Sequence, residues 1–322
     1  MSTPKKIVWI DDNPGRESTA IDLGARFINV KGKDLGSAVK QLLDHRAPQL
    51  VIIDHVLDKA ADSTNPLFLR GSTIAEAIKE KWPSCAVVGV TNAEKLTEID
   101  FRTKGTYDAL FPFQNFAKYF DRINVIARGF SLVAKTEPEI ETLITLLKPP
   151  EDEVKRLLDV VTDDLKTPTQ DASVASRMYR WVDHLMDRSG FLLDALWSAT
   201  LLGLNEAGFE KVAHVFEKAK YRGVFARPDE PRWWSRGLSD RLYQQRAPEP
   251  GELSWHVGRR LPGIKKEHLS FCYCCKKEFP ETVAFLDEIS SERRAMHLRC
   301  TELHPLYKRE LYFEDIRIMR GE

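Results

Sequence analysis

Residues 7–12 read Ile-Val-Trp-Ile-Asp-Asp, four apolar residues that suit a buried strand, followed at once by two carboxylates. The segments at 35–45 and 72–82 carry apolar residues at helical spacing. Short apolar strands that alternate with amphipathic helices indicate a parallel sheet covered on both faces. Residues 1–130 are therefore predicted to form an α/β domain around a doubly wound, five-stranded parallel sheet. Four further apolar segments supply the other strands, at 27–30, 50–53, 86–90 and 107–111.

Polar side chains follow three of these strands at their carboxyl ends. Asp11 and Asp12 end the first strand and Asp54 the third, while residues 91–93, Thr-Asn-Ala, follow the fourth. Because the carboxyl ends of parallel strands meet at one edge, we expect these side chains in one crevice, where the strand order reverses. Three converging carboxylates repel one another unless a hard cation lies among them, and carboxylate oxygens are ligands that Mg²⁺ prefers. The cluster therefore predicts a divalent ion.

This order of residues resembles the receiver domain of two-component response regulators, over residues 1–130 of the 322. The resemblance implies a flavodoxin-like fold and a phosphorylation-responsive signalling protein. It implies that Asp54 accepts a phosphoryl group from a histidine kinase or a phosphotransfer protein. It also implies that Thr91 closes on the phosphate and moves the loop that follows. The implied ligands of Mg²⁺ are Asp11, Asp12, Asp54 and the backbone carbonyl of Val56.

One departure from the family lies after the fifth strand. The family carries a Lys followed by Pro there, whereas this chain has Phe111 or Pro112 where that Lys should stand. A cation that faces the phosphoryl oxygens stabilises the transferred charge. Its loss is expected to weaken phosphoryl transfer, to alter the lifetime of the signal, or to mark a domain that switches without phosphate. The position of the switch aromatic is also open, since alignment on Gly105 puts Ala109 there while Tyr107 lies two residues earlier.

The same residues also have a structural interpretation. Residues 12–14, Asp-Asn-Pro, suit the start of a helix, and Thr91 suits a cap for the next helix. Four positions in the right order on the right strand ends favour the functional interpretation. The connection at 55–70 contains Asp58 and Asp62 and is longer than usual, and such loops are commonly functional or mobile.

The middle of the chain is predicted to be helical. Residues 131–150 hold one helix between Pro138 and Pro149, which indicates a connector. Residues 151–260 carry apolar residues at helical spacing, so we expect a helical domain with its aromatic residues in the core. Within it, the Pro-, Arg- and Trp-rich stretch 227–251 is either an interaction epitope or a long loop packed over the helices.

Residues 261–322 are predicted to form a small zinc-binding module, similar to ribbon and treble-clef sites. Cys274 or His304 could replace one of its ligands, and the other interpretation is buried thiols with a surface His. A filled Cys₃His shell leaves no open coordination position, so we expect a structural zinc. Two close pairs of soft and borderline donors supply the ligands that tetrahedral Zn²⁺ requires: Cys272, Cys275, His297 and Cys300.

Composition narrows the classes of function. Lys and Arg number 48, as do Asp and Glu, so the net charge is zero and gives no electrostatic reason to expect nucleic-acid binding. No apolar run predicts a membrane span, and the N-terminal segment lacks the apolar core of a signal peptide, so we expect a cytoplasmic protein. We expect the helical and zinc-binding parts to relay the phosphorylation of Asp54 to a protein partner. The alternatives are a receiver-regulated effector enzyme of the nuclease type, although the sequence contains no familiar catalytic motif, and a DNA-binding regulator.

Overall fold

The chain divides into two compact units in the computed structural model. The first comprises Met1–Leu146 and Val161–Trp181, and the second comprises Leu147–Val160 and Val182–Glu322. The domain boundaries at 130, 150 and 260 remain predictions. The structure describes residues 7–31, 40, 46–57, 71–92, 101–160, 165, 173–187, 190–277, 282–287, 292–297 and 300.

Some of the predicted features fall outside the described residues. They include most of the helix expected at 35–45 and the loop residues Asp58 and Asp62. Within the part of the chain that the structure describes, no helix combines the length and the apolar character needed to cross a membrane.

The first unit is built on a five-stranded parallel sheet, as the sequence predicts. The strands lie in the order β2-β1-β3-β4-β5, and each neighbouring pair is parallel. This is the doubly wound, flavodoxin-like order, which reverses between β1 and β3. The predicted α/β fold class is confirmed. The strands are β1 (Ile7–Asp11), β2 (Arg26–Asn29), β3 (Leu50–Asp54), β4 (Ala86–Thr91) and β5 (Ala109–Pro112).

Burial explains why the central segments are strands. Every residue of β1, β3 and β4 is buried, as expected of strands covered on both faces. Ile74 and Ile78 of the helix Gly71–Lys81 are buried in one apolar cluster with Ile10 and Ile53, so this helix covers one face of β1 and β3. The helices of this unit are α1 (Glu17–Asp22), α2 (Gly71–Lys81), α3 (Phe101–Thr106), α4 (Phe120–Val133) and α5 (Ile140–Thr145).

The fifth strand begins two residues later than the sequence predicts. Asp108 occupies the turn before it, where Oδ2 accepts the backbone N–H of Val87 at 2.8 Å and Oδ1 accepts from Nζ of Lys79 at 2.9 Å. The Asp108 carboxylate therefore accepts the backbone N–H of Val87, where a backbone carbonyl of a neighbouring strand would otherwise accept it. The prediction that Tyr107 belongs to the strand is wrong, and Ala109 is the first strand residue.

The second unit is mainly helical. Its larger apolar core includes Leu202, Phe209, Phe216 and Leu238. Two short antiparallel pairs accompany the helices, β6 (Leu192–Leu193) with β7 (Trp233–Trp234), and β8 (Thr282–Asp287) with β9 (Glu292–His297). Helix α7 contributes residues to both units. The helices are α6 (Glu151–Val160), α7 (Val174–Asp187), α8 (Ala195–Leu201), α9 (Glu206–Val212), α10 (Ser235–Gln245) and α11 (Ser254–Gly258).

Residues 227–251 form neither an exposed epitope around the tryptophans nor one long loop. Trp233 and Trp234 form β7 and are 5% and 1% exposed, and helix α10 follows directly. Trp233 packs edge-on against Phe209, with 4.9 Å between the ring centroids. The long-loop interpretation is therefore wrong, because a strand and a helix occupy much of the stretch and the two tryptophan rings belong to the core of the unit. An interaction epitope on its exposed residues stays a prediction.

One buried carboxylate ties α6 to the start of α10. Glu153 is fully buried, and its Oε1 accepts the backbone N–H of Arg236 at 3.0 Å and the hydroxyl of Ser235 at 3.3 Å. Its Oε2 accepts from Nη1 of Arg156 at 2.8 Å. Burial raises the pKa of Glu153, and the charge of Arg156 acts against that shift. Glu153 thus satisfies donors at a helix N-terminus, where a negative charge is favoured.

Replacing Glu153 with Ala should lower the free energy of unfolding by about 2–4 kcal/mol, because two donors of α10 and the Arg156 guanidinium lose their acceptor. Asp152→Ala is the matched control, since Asp152 is exposed one position earlier and its loss should change the free energy by less than about 0.5 kcal/mol. Urea denaturation followed by circular dichroism measures both. Equal stability of the two variants would show that Glu153 does not hold the start of α10.

Candidate functional site

An acidic crevice, defined by Asp11, Asp12 and Asp54, lies at the carboxyl edge of the sheet. Asp11 ends β1 and is fully buried, Asp54 ends β3 and is 6% exposed, and Asp12 is half-buried. One oxygen from each carboxylate lies within 4.8 Å of the others. The structure therefore brings together the three carboxylates that the sequence predicts to converge, at the reversal of the strand order.

A basic side chain that the sequence analysis missed lies in the acidic crevice. Nη1 of Arg16 is 2.9 Å from Oδ2 of Asp11 and 2.7 Å from Oδ2 of Asp54. The Arg16 side chain is 10% exposed, and its Nε is buried with no hydrogen-bond partner among the residues that the structure describes. One signal was present in the sequence, since Arg16 is the first cation after the two carboxylates.

The turn after β1 brings Arg16 to the crevice. Asn13 caps the 3₁₀ helix Pro14–Arg16, and its Oδ1 accepts the backbone N–H of Gly15 at 2.9 Å. Pro14 fixes φ at a value that a helix start needs. The helix start predicted at residues 12–14 is therefore present. The guanidinium also lies over the ring of Phe113, with 4.2 Å between Cζ and the centroid, which is a cation–π contact.

The oxygens of Asp11 and Asp54 differ in how strongly the protein engages them. Oδ1 of Asp11 accepts the backbone N–H of Asn13 at 2.8 Å, and Oδ2 accepts from Nε1 of Trp9 at 3.1 Å as well as from Arg16. Oδ1 of Asp54 accepts only a long bond from the backbone N–H of Val56, at 3.3 Å, within the described residues. Of these four oxygens, Oδ1 of Asp54 therefore accepts the weakest hydrogen bonding within the described residues.

Burial dominates the ionisation of Asp54. It raises the pKa of this carboxyl from 3.8 to about 6, while the charge of Arg16 lowers the pKa and the charge of Asp11 raises it. Burial also acts to lower the pKa of Arg16, but Asp54 and Asp11 outweigh it, so the pKa of Arg16 is raised and the guanidinium stays charged. Since three carboxylates share the crevice with Arg16, a further cation would relieve their repulsion.

Thr91 lies at the same edge of the sheet as the acidic crevice. It ends β4 and is 1% exposed, and its neighbour Val90 pairs in register with Asp54. Its backbone carbonyl accepts the N–H of Phe113 at 2.7 Å. Val56 follows two residues after Asp54, whereas Ala93 falls outside the described residues.

Aromatic side chains surround the end of β5, where the family has its Lys. Phe111 is 4% exposed and stacks on Tyr119, with 4.6 Å between the centroids. The rings of Phe113 and Phe116 lie 6.4 and 4.9 Å from the ring of Trp9, measured between centroids. We call these five rings the aromatic wall. Among the described residues, the cation that enters the crevice is Arg16, which comes from the turn after β1 and not from the end of β5.

Of the two candidate positions for the switch aromatic, Tyr107 carries a ring with a polar contact. It is 2% exposed, and its hydroxyl lies 3.2 Å from Nδ1 of His55. Burial raises the pKa of Tyr107, and the charge of Asp54 adds to the shift. Ala109 is a half-buried strand residue with no polar side-chain group.

A second cluster, which we call the Cys₃His cluster, lies at the open end of the β8–β9 hairpin. Nδ1 of His297 is 3.3 Å from Sγ of Cys275 and 3.8 Å from Sγ of Cys300. The bond lengths usual for zinc give about 3.5 Å for this edge of a tetrahedron. Cys274 is exposed and is not part of the cluster, and His304 lies outside the described residues. The donor atoms lie within 4.8 Å of one another and belong to Cys272, Cys275, His297 and Cys300.

The turn before β8 presents its two cysteines to the end of β9. The backbone N–H of Tyr273 donates to the carbonyl of Ala295 at 2.8 Å, which attaches the turn to β9. The backbone N–H of His297 points at Sγ of Cys272, 3.3 Å away. Lys276 adopts φ of 58° and donates its N–H back to the carbonyl of Cys272 at 2.9 Å. These bonds bring the turn that carries Cys272 and Cys275 next to His297 at the end of β9.

The pKa shifts of His297 and Cys275 favour the forms that bind metal, whereas that of Cys300 favours the thiol in the absence of a cation. Burial lowers the pKa of His297, which favours the neutral imidazole that binds metal. A hydrogen bond from the backbone of Lys277 lowers the pKa of Cys275, which favours the thiolate. Burial and the neighbouring thiols raise the pKa of Cys300 to about 12, a shift that a bound cation reverses because it deprotonates a coordinating thiol.

Comparison with models of protein families finds no match, and comparison with curated proteins finds none either. Solved structures of response regulator receiver domains do match the N-terminal part. The response regulator TrrA from Thermotoga maritima, in complex with Mg²⁺ and BeF, is 18% identical over 37% of this chain and 95% of its own, with a TM-score of 0.28. A receiver domain protein from Clostridium thermocellum is also 18% identical, over 37% of this chain and 93% of its own, with a TM-score of 0.28.

A third solved structure matches over a longer part of the chain. It is NtrX from Brucella abortus in complex with ATP, which is 13% identical over 68% of this chain and 56% of its own, with a TM-score of 0.31. The strand order of the sheet, rather than these distant likenesses, establishes the fold of the first unit.

In metal-free protein, the free energy of unfolding should depend on the ionisation of Asp54. The pKa of the folded carboxyl is about 6 against an ordinary 3.8, so the folded state binds the proton more tightly. The resulting stability is fully present below about pH 4 and is lost as the pH rises through about 6. As the pH rises from about 4 to about 6, the free energy of unfolding of Asp54→Asn should therefore increase relative to that of the wild type by up to about 3 kcal/mol.

Denaturation in EDTA at several pH values between about 4 and 7 checks this expectation. Asp22→Asn is the control, because it removes an exposed carboxylate of the same unit and should show no such gain. A difference between Asp54→Asn and wild type that does not change with pH would contradict the raised pKa.

Proposed function

We propose that this chain is a signalling protein of the receiver type, in which Asp54 accepts a phosphoryl group. One observation carries the proposal: Asp11, Asp12 and Asp54 converge at the carboxyl edge of a doubly wound parallel sheet, at the reversal of its strand order. Oδ1 of Asp54 is the acceptor atom that we assign, because it is the least engaged oxygen of the buried pair. The phosphoryl donor is a histidine kinase or a phosphotransfer protein.

We assign the acidic crevice to Mg²⁺. The three carboxylates and the backbone carbonyl of Val56 would hold it, since oxygen atoms are the ligands that Mg²⁺ prefers. The surplus negative charge of the crevice supports a divalent cation. When bound, Mg²⁺ neutralises charge on the transferring phosphoryl oxygens.

Phosphoryl transfer uses the ionised form of Asp54. Oδ1 attacks the phosphorus of the donor's phosphohistidine, and the P–N bond breaks. The electron pair of the P–N bond stays on the donor's imidazole, which takes a proton from solvent. The product is an acyl phosphate with about two negative charges in place of one. The hydroxyl of Thr91 then turns toward a phosphoryl oxygen, and the segment after β4 follows it.

Incubation with acetyl phosphate and Mg²⁺ should add one phosphoryl group, located at Asp54 and removable by hydroxylamine. Asp54→Asn should abolish the modification, because the amide cannot act as the nucleophile, while Asp22→Asn should keep it. Intact-protein and peptide mass spectrometry make the measurement. Modification of another carboxylate, or Mg²⁺ binding with no modification by any donor, would indicate a receiver that switches without phosphate.

We further propose that the Cys₃His cluster holds one structural Zn²⁺. Three thiolates and an imidazole are donors that suit zinc, and the distances from His297 to Cys275 and Cys300 fit a tetrahedral site. Four protein ligands leave no position for a reacting water, so the module serves as an output surface for a protein partner. The proposal includes a cytoplasmic location, where thiols are kept reduced.

The purified protein should contain about one equivalent of zinc that survives dialysis. Cys275→Ser should release the metal and unfold the module, because metal binding supplies much of the folding free energy of such a module. Cys274→Ser alters the neighbouring exposed thiol and should retain the metal. Elemental analysis and native thiol titration make the measurement. No zinc in wild-type protein from zinc-replete medium, with all five thiols titrating, would reject the site.

A further inference from the structure

We infer that Arg16 is the cation that faces the phosphoryl group on Asp54. The inference rests on the proposed function and names the side chain that stabilises the charge at that site. The end of β5 offers Phe111 and Pro112 for this task, and neither carries a charge. Arg16 approaches the same carboxylate from the turn after β1 instead.

The position of Arg16 meets the geometric requirement. Its Nη1 is 2.7 Å from Oδ2 of Asp54, so a group bonded to Oδ1 of the same carboxylate would be within reach of the guanidinium. A guanidinium presents five N–H donors in a planar fork. Among the residues that the structure describes, the hydrogen bonds of Arg16 to Asp11 and Asp54 use Nη1, and Nε has no partner. Donors therefore remain for phosphoryl oxygens.

The residues around Arg16 orient its side chain without occupying its remaining N–H donors. The Asn13 cap and Pro14 set the direction of the turn, and the ring of Phe113 supports the flat face of the guanidinium. A cation–π contact takes up the face of the group and leaves its N–H edge available. A buried guanidinium persists only where charges pair with it, and here those charges are the proposed acceptor and its neighbour Asp11.

The charge change at Asp54 is the reason that a cation is needed. When the P–O bond to Oδ1 forms and the donor's bond to phosphorus breaks, the charge at this residue goes from one to about two negative units. A fixed cation is worth more in a buried crevice than in water. In the later hydrolysis, water attacks phosphorus and loses a proton to solvent, the P–O bond to Asp54 breaks with its electron pair on the carboxylate, and inorganic phosphate is released. Arg16 would stabilise the phosphoryl oxygens in both the transfer and the hydrolysis.

A purely structural role for Arg16 makes the opposite prediction. If the guanidinium only neutralises the carboxylates, its removal leaves the affinity for a phosphoryl mimic unchanged once Mg²⁺ is saturating. Removal would also tighten Mg²⁺ binding, because a competing cation is gone. The affinity for beryllofluoride at saturating Mg²⁺ therefore separates the two roles.

The test is calorimetric titration of beryllofluoride at saturating Mg²⁺. Arg16→Gln should bind it about 10- to 100-fold more weakly than wild type, as expected for the loss of a charge-assisted hydrogen bond. Arg16→Lys should recover part of the loss, because it keeps the charge but not the planar fork. Arg128→Gln is the matched control, since Arg128 is an exposed residue of α4, and it should bind as wild type does.

Unchanged beryllofluoride affinity in Arg16→Gln would overturn the inference while leaving the proposed function intact. Wild-type protein that binds Mg²⁺ but no beryllofluoride would overturn both. If Arg16→Gln does not fold, nitrogen-15 NMR of the arginine side chains in wild-type protein decides. The Arg16 signal, assigned by its absence in Arg16→Lys, should move on adding beryllofluoride beyond its position with Mg²⁺ alone, and no movement would overturn the inference.

Discussion

The burial of carboxylates at the edge of the sheet is the constraint on which the first unit depends. Apolar packing makes β1 and β3 neighbours, and it brings Asp11 and Asp54 out of water together. Buried charges are retained only where partners satisfy them. The indole of Trp9, the backbone of Asn13 and the guanidinium of Arg16 do so for Asp11. The turn after β1 is therefore part of the site rather than a mere connection to α1.

The choice of an arginine from this turn follows from its surroundings. A guanidinium is more weakly hydrated than an ammonium and stacks on aromatic rings, so it tolerates burial beside the aromatic wall. Its flat face lies over Phe113, while its edge reaches both carboxylates. A flexible lysine on β5 would compete for space with the stacked rings of Phe111 and Tyr119. The arginine in the turn after β1 and the aromatic side chains at the end of β5 are thus two parts of one arrangement.

The sequence predicts those features that depend on neighbours in the chain. Apolar runs indicate the five strands, and the positions of Asp11 and Asp54 at the ends of β1 and β3 follow from the same pattern. The meeting of Asp11 with Asp54 needs only the rule that parallel strands end at one edge. The spacing of Cys272 and Cys275 likewise predicts a close pair, since a short turn cannot separate them.

The features that the sequence analysis missed depend on contacts between distant residues. Arg16 enters the crevice because a local cap directs it and because Phe113, far along the chain, receives its face. The late start of β5 depends on Asp108 bonding to β4. The burial of Trp233, in strand β7, depends on Phe209 of helix α9. No periodicity in the sequence encodes such pairings.

The acidic crevice and the Cys₃His cluster differ in the softness of their donor atoms, and so in the metal ion that each would prefer. Carboxylate and carbonyl oxygens suit Mg²⁺, and thiolates with imidazole suit Zn²⁺, so neither proposed site competes for the other's ion. Arg16 already holds two of the oxygens in the acidic crevice, so the Mg²⁺ that we propose there would have to share them. The Cys₃His cluster instead places four candidate ligand atoms of the chain within 4.8 Å of one another, the number that a tetrahedral zinc site needs. The proposed zinc would therefore take all of its ligands from the chain, as a site that stabilises a small module needs, whereas the proposed Mg²⁺ would share its ligands with Arg16.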